Sequence, residues 1–479
     1  MPSWLILTVL ALYFAALIVI SYITSKNADT DAFFMANRNS PWYLVAFGMI
    51  GSSLSGVTFI SVPGAVLNQG FSYFQMVIGY LAGYAFIAWV LMPLYYKLNL
   101  ISIYTYFETR FGFWSYKTGA FFFLLSRTIG SSFRLYLAAQ VLHIGIFQAW
   151  GVPFIVTGAV TIFLIWVYTF KGGIKTIIWT DSFQTIFLIT ALIVSVLLIK
   201  DSLNYSFDDL FASINNHSTS QIFFWNWKDD KFFVKQFISG AFIAIVMTGM
   251  DQDLMQKNLT CKNIKEAQIN MCTFCIILVV VNFIFLCLGS LLYIYAESKQ
   301  ISLPARTDEV FPYLALNHFG ILTGIFFLLG ITASSYASAD SALASLTTSF
   351  CIDFLDFKNK VEKLKNILKF WVHLGFSLLI LLIIVVFQAI NDQAVITAVF
   401  KVAGYTYGPL LGLFFFGLFT KYQVQDKYVP MVCVISPVLT YLINAYSLQL
   451  FGGYKFGFEL LLINGAFTFA GLWILRRGK

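Results

Sequence analysis

Apolar residues along this chain come in long runs rather than in alternation. About thirteen stretches lie near 4–23, 43–66, 73–97, 118–147, 152–170, 178–199, 233–255, 270–296, 318–350, 366–390, 394–420, 428–446 and 456–475, long enough to predict helices that cross the hydrocarbon core of a bilayer. Two of the runs carry residues that break helices. The second reads VAFGMIGSSLSGVTFISVPGAV over 45–66, with Gly51-Ser52-Ser53-Leu54-Ser55-Gly56 at its middle and Pro63 beyond. Glycine and proline weaken a helix, and hydroxyls bring polar atoms that hydrocarbon leaves unsatisfied. The seventh, FISGAFIAIVMTGMDQDLM, is interrupted at Thr248-Gly249. Unwinding frees backbone carbonyls, which in a cavity coordinate a bare cation while nearby hydroxyls hold a solute. The other reading of the first stretch is close helix packing, because Gly48, Ser52 and Gly56 have small-xxx-small spacing.

Composition sharpens the picture. The 479 residues are 59% hydrophobic and 11% charged, with mean hydropathy +0.80, more apolar surface than a water-soluble chain of this length can hide. The fold class is an all-α polytopic membrane protein. A net charge of +8 does not point to nucleic acid, because the basic residues sit in short segments between apolar runs. One set of segments holds Lys26, Arg38, Lys97, Arg110, Lys117, Lys171, Lys175, Lys257, Lys262, Lys265, the run Lys358 to Lys369, Lys421, Lys427, and Arg476, Arg477 and Lys479. The alternate set, mostly the loops 201–232 and 297–317, holds far fewer. The positive-inside rule then predicts a plasma (inner) membrane protein with its N-terminus outside and C-terminus cytoplasmic. The first run, Trp4 to Ile23, lacks a basic lead and a small-residue cleavage pattern, so it reads as a retained helix.

In this orientation the second and seventh runs cross in opposite directions. Two five-helix units are then inverted relative to each other, each beginning with an interrupted helix, and paired interruptions point to a binding site at the midplane. The expected organisation is a first helix and loop (1–40), a core repeat (41–200), an extracellular loop (201–232), an inverted core repeat (233–421), and two flanking helices with a basic tail (422–479).

Enzyme chemistry finds little support. Cys272-Thr-Phe-Cys275 lies inside the apolar run MCTFCIILVVVNFIFLCLG, where cysteines are ordinarily small packing residues. The histidines at 143, 217, 318 and 373 have no ligand spacing, which argues against haem, a metal centre or an electron carrier. Charged residues inside the runs are more informative. Asp181 in IIWTDSF and Asp340 in YASADSALAS are costly in a membrane and so are functional candidates, as ion ligands or proton carriers. The plainer readings are a helix-end cap for Asp181 and a hydrogen-bonded core carboxyl for Asp340. Arg127 and Arg134, in SRTIGSSFRLYLAAQVLH, lie seven residues apart on nearly one helix face. A guanidinium facing a cavity grips a carboxylate through its planar fork; the alternatives are snorkelling or a structural ion pair. Lys401 reads as a snorkelling residue at a helix end.

Three stretches, GSSLSGVTFISVPG (51–64), GGIKTIIWTDSFQ (172–184) and ASSYASADSALASLTTSFCIDF (333–354), together with DQDLMQK (251–257), make the chain resemble the sodium/solute symporter family, which includes Na⁺-coupled sugar, proline, sialic-acid and iodide carriers. The resemblance implies a leucine-transporter-type core of inverted five-helix repeats with flanking helices, alternating access, and Na⁺ as the coupling ion. By motif position the main sodium site falls on Gly51, Leu54, Ser334, Ala337 and Ser338. The family usually has two adjacent hydroxyls where this chain reads Ala337-Ser338, so a register using Ser334-Ser335 stays open. A second sodium would involve Asp181, Ser338, Asp340 and Ser341. The substrate would meet Ser53, Ser55, Thr58, Gln75, Arg127 and Arg134. The family's sugar carriers place an aromatic gate in a stretch that here reads IAIVMTGMDQ and has none, which counts against a sugar. The expected function is Na⁺ symport of a small polar solute, with a carboxylate-bearing one favoured. A neutral solute, H⁺ coupling, and more remotely a transporter-like sensor, a channel or a membrane enzyme are the alternatives. The expected partners are the solute, Na⁺ and the lipid bilayer, with no nucleic acid.

Overall fold

A computed structural model describes residues 3–25, 36–169, 173–357, 360–390 and 394–477. Lys26, Lys171, Lys358 and Lys479, counted above towards orientation, and Gly172 of the second motif lie outside the described residues. Among the described residues seven helices are long and apolar enough to cross a membrane, or up to ten spans if each of three bent helix pairs counts once. The remaining expected runs, at 118–147, 152–170 and 456–475, form the helices Phe113–Leu142, Phe154–Thr169 and Leu460–Ile474.

Both predicted interruptions are real breaks. Helix Trp42–Ser53 stops at Leu54 (φ −79°, ψ 70°), and the Ser55 N–H reaches back only to the Ser53 carbonyl, at 3.0 Å. The chain restarts as a wide turn, Val57–Ser61, and the two halves are bent by 61°. Gly56 is required here because the helix Gly320–Asp353 lies against the break: a Cβ on Gly56 would come within 2.2 Å of the Ser335 hydroxyl. The second break falls at Met250–Asp251, just beyond the expected Thr248-Gly249, with a bend of 69° between Phe233–Gly249 and Gln252–Asn258. Asp251 decides this position. Its backbone is extended (φ −110°, ψ 123°), and its carboxylate accepts the Asp253 N–H at 2.9 Å, capping the new helix. A third bend, 47° between Val395–Thr406 and Gly408–Phe419, was not expected from the apolar run 394–420. Pro409 stands at the start of its second half, where a missing N–H costs nothing.

The helix Gly320–Asp353 runs through the core, and every residue from Ile331 to Ser349 is buried. It is bordered by Gly173–Ser202, Phe113–Leu142 and Trp42–Ser53. Small residues allow this crowding where lipid offers no hydrophobic drive to bring helices together. The tightest approach joins Ser72–Phe86 to Phe233–Ala244. A Cβ on Gly79 would stand 2.1 Å from the Phe237 carbonyl oxygen, and one on Gly240 would stand 2.0 Å from that of Met76.

Candidate functional site

A cavity of about 80 Å³ lies between the first two broken helices. Ser53, Ser55 and Thr58 line it from the first and Met247 and Thr248 from the second, and Arg127 and Arg134 reach it from Phe113–Leu142. Gln75 is not part of this lining. It is fully buried, with its amide nitrogen donating to the carbonyls of Ser72 at 3.2 Å and Lys231 at 2.9 Å. Its oxygen accepts the Phe224 N–H at 3.2 Å. The expectation of substrate contact is corrected accordingly: Gln75 fastens the loop 201–232 to its helix and has little polar capacity left.

The two arginines share a helix face but differ in what they meet. Arg127 is buried and ion-paired with the equally buried Asp253, whose other oxygen accepts a hydrogen bond from Ser341. Arg134 is partly accessible, and among the described residues no carboxylate forms an ion pair with it. The chain therefore offers its cavity one ion-paired guanidinium and one with no ion pair among the described residues, with Asp251 within its electrostatic reach.

On the helix Gly320–Asp353 the hydroxyls of Ser335, which faces Gly56 at the first break, and of Ser338 are buried and have no hydrogen-bond partner among the described residues. The Ser334 hydroxyl turns back to the Ile331 carbonyl of its own helix, at 3.1 Å. These orphaned oxygens beside an unwound helix suit a small hard cation, and either register of the expected site keeps one of them. The residues expected at a second ion are engaged separately. Asp181 lies inside the helix Gly173–Ser202 rather than at its end, and accepts a 2.5 Å contact from the Lys257 ammonium. Lys257, assigned above to a cytoplasmic loop, is in fact fully buried; it also donates to the Ser52 hydroxyl at 2.7 Å. Asp340 accepts from the Tyr168 hydroxyl at 2.9 Å, and its other oxygen has no hydrogen-bond partner among the described residues.

The two ends of the cavity are built differently. Below it, Tyr95 donates to the Gly249 carbonyl at 2.8 Å and Tyr104 to that of Met250 at 3.0 Å. Tyr407 donates to Asp251, and the Gln252 side chain bonds the Ile103 N–H at 3.0 Å and the Ile101 carbonyl at 2.7 Å. Further out, Asp353 gathers Ser102 at 3.0 Å, Tyr116 at 2.8 Å and Ser349 at 2.6 Å. At the other end the rings of Tyr73 and Phe400, with centroids 6.3 Å apart, line both the cavity and a larger space of about 470 Å³. That outer space is bordered by Asp230, Lys231 and the exposed Lys401.

Comparison with known proteins fits this geometry. Residues 33–426 match the family described as Sodium:solute symporter family. The sodium/sialic acid symporter NanT of Aliivibrio fischeri is 25% identical over 470 residues, covering 95% of this chain and 91% of NanT. Sodium-coupled monocarboxylate transporter 1 of Mus musculus is 27% identical over 412 residues, or 81% of this chain and 64% of that transporter. The solved substrate-bound outward-open state of a Na⁺-coupled sialic acid symporter aligns with a TM-score of 0.83 at 21% identity, covering 98% of this chain and 97% of that one. Mhp1, a nucleobase-cation-symport-1 family transporter in a closed conformation, aligns at 0.54 with 12% identity over 92% and 94% of the two chains. The structural likenesses establish a leucine-transporter-like, all-helical fold. With the family match extending over most of its length, the chain belongs to the sodium:solute symporter family and is a multi-pass membrane transporter, coupling solute movement to Na⁺, and not an enzyme.

Proposed function

We propose that the transported solute is a small organic acid, moved with Na⁺ by exposing the cavity between the broken helices alternately to the two sides of the plasma (inner) membrane. The orientation proposed with it has the N-terminus outside and the C-terminus cytoplasmic, as the basic loops suggest. The observation that carries this reading is Arg134. Arg134 reaches the cavity with no ion-pair partner among the described residues, and a carboxylate meeting its fork supplies both charge and two hydrogen bonds. The hydroxyls of Ser53, Ser55 and Thr58 line the same cavity and are available to the polar remainder of the solute. Relatives named for sialic acid and for monocarboxylates both handle carboxylates.

For Na⁺ the proposed ligands are carbonyls of Gly51, Leu54, Ser334 and Ala337 with the Ser338 hydroxyl. The break at Leu54 and the orphaned Ser338 oxygen support this set. The test is uptake into proteoliposomes of sialic acid, short monocarboxylates, their amides and neutral sugars, under an inward Na⁺ gradient or none. Na⁺-driven uptake of an acid but not its amide is expected. Transport of a neutral sugar with rejection of every acid would overturn the carboxylate reading, and uptake driven by a proton gradient without Na⁺ would overturn the coupling.

A further inference from the structure

Lys257 is a lysine in an unusual place. It belongs to the short helix Gln252–Asn258 on the inner half of the second broken span, and only 1% of it is accessible. Its ammonium contacts the Asp181 carboxylate at 2.5 Å and the Ser52 hydroxyl at 2.7 Å. Three elements therefore meet at one charge: the second broken helix, the first broken helix just before its break, and the helix Gly173–Ser202. Gly48 lets the first broken helix lie close against Gly173–Ser202, since a Cβ there would come within 3.1 Å of the Ile178 carbonyl oxygen. Asp340 is within electrostatic reach of both Asp181 and Lys257.

A carboxylate buried in this way needs a cation, because an isolated charge in low dielectric is strongly disfavoured. A mobile ion from solution can meet that need; so can a side chain. We propose that Lys257 is a tethered counter-ion that takes the place of a second coupling Na⁺ at Asp181, so that the carrier moves one Na⁺ per solute. The inference rests on the Na⁺-symport reading and specifies its stoichiometry. Because the ammonium is covalently attached, it is never released to either side and contributes nothing to the driving force. It neutralises Asp181 while binding the two broken helices together through Ser52.

The test uses the full chain reconstituted in proteoliposomes and, separately, held in detergent. For the wild type, the ratio of labelled Na⁺ to labelled solute entering should be one to one, with a Hill coefficient for Na⁺ near one. In detergent, NaCl against choline chloride should raise the melting temperature with single-site dependence. Lys257→Gln removes the ammonium and leaves Asp181, so its melting temperature should acquire an additional, steeper dependence on Na⁺. Adding Asp181→Asn should abolish that extra dependence. The double variant removes both members of the ion pair, so Asp181 is not left as a lone buried charge and the protein stays measurable even if Lys257→Gln alone does not fold; such a loss, repaired in the double variant, also supports the role of counter-ion. Two Na⁺ per solute in the wild type would overturn the inference alone, as would a Lys257→Gln protein that folds and responds to Na⁺ like the wild type. A wild type indifferent to Na⁺ in both measurements would overturn the symport reading and this inference with it.

Discussion

Arg127 and Arg134 stand on one face of one helix, yet substitution should act differently at each. Arg134→Lys keeps the charge but loses the fork, and should raise the half-saturating solute concentration tenfold or more, about 1.4 kcal/mol, with protein abundance unchanged. Arg127→Ala instead strands Asp253 in the core. It should cost about 3–5 kcal/mol of stability, seen as a lower melting temperature, and converting Asp253 to Asn as well should recover part of it. Ser338→Ala has no hydrogen bond to lose among the described residues, so it should leave stability alone while raising the Na⁺ concentration for half-maximal uptake. If Na⁺ dependence is unaltered, Ser335 becomes the better ligand. The sequence placed both arginines on a common face, but the partner that separates them, Asp253, is 126 positions away from Arg127. Lys257 was hidden in the same way: the segment DQDLMQK reads as the end of a span followed by a loop, and its acid partner lies 76 residues earlier.

Whole helices were more legible than their partners. Gly and Ser clusters inside apolar runs located the first break within the residues quoted for it and the second within a turn of the chain, because a local sequence that cannot sustain a helix breaks it wherever it sits. The third bend was missed although Gly408-Pro409 was in view, since apolar residues continue on both sides and hydropathy is blind to direction. Wide turns such as Ile245–Gly249 leave no trace in an apolar pattern for the same reason. Contact between elements makes its own prediction. At Gly240 a side chain would meet a backbone carbonyl, which cannot yield as a flexible side chain can. Gly240→Val should therefore destabilise by about 1–3 kcal/mol or more, read as loss of monodisperse protein after extraction. Gly130, with nothing within 4 Å of a Cβ, should accept alanine without loss.

At the scale of the molecule, the cavity is guarded by two aromatic rings at one end and by a mesh of tyrosines, amides and carboxylates at the other. Tyr104→Phe deletes one strand of that mesh, its 3.0 Å bond to the Met250 carbonyl. A hydrogen bond worth about 1 kcal/mol shifts the balance between the two facing states about fivefold. A cysteine placed at Thr248, with the native cysteines replaced, should then react faster with a membrane-impermeant thiol reagent applied from the mesh side. The same asymmetry bears on temperature. Parting two rings breaks no strong directional bond, whereas opening the mesh ruptures several hydrogen bonds together, a largely enthalpic barrier that grows steep in the cold. Chilled vesicles should therefore go on loading solute past Tyr73 and Phe400 while discharge on the far side stalls, turning the carrier into a reversible trap whose occupancy can be counted before a single turnover is complete.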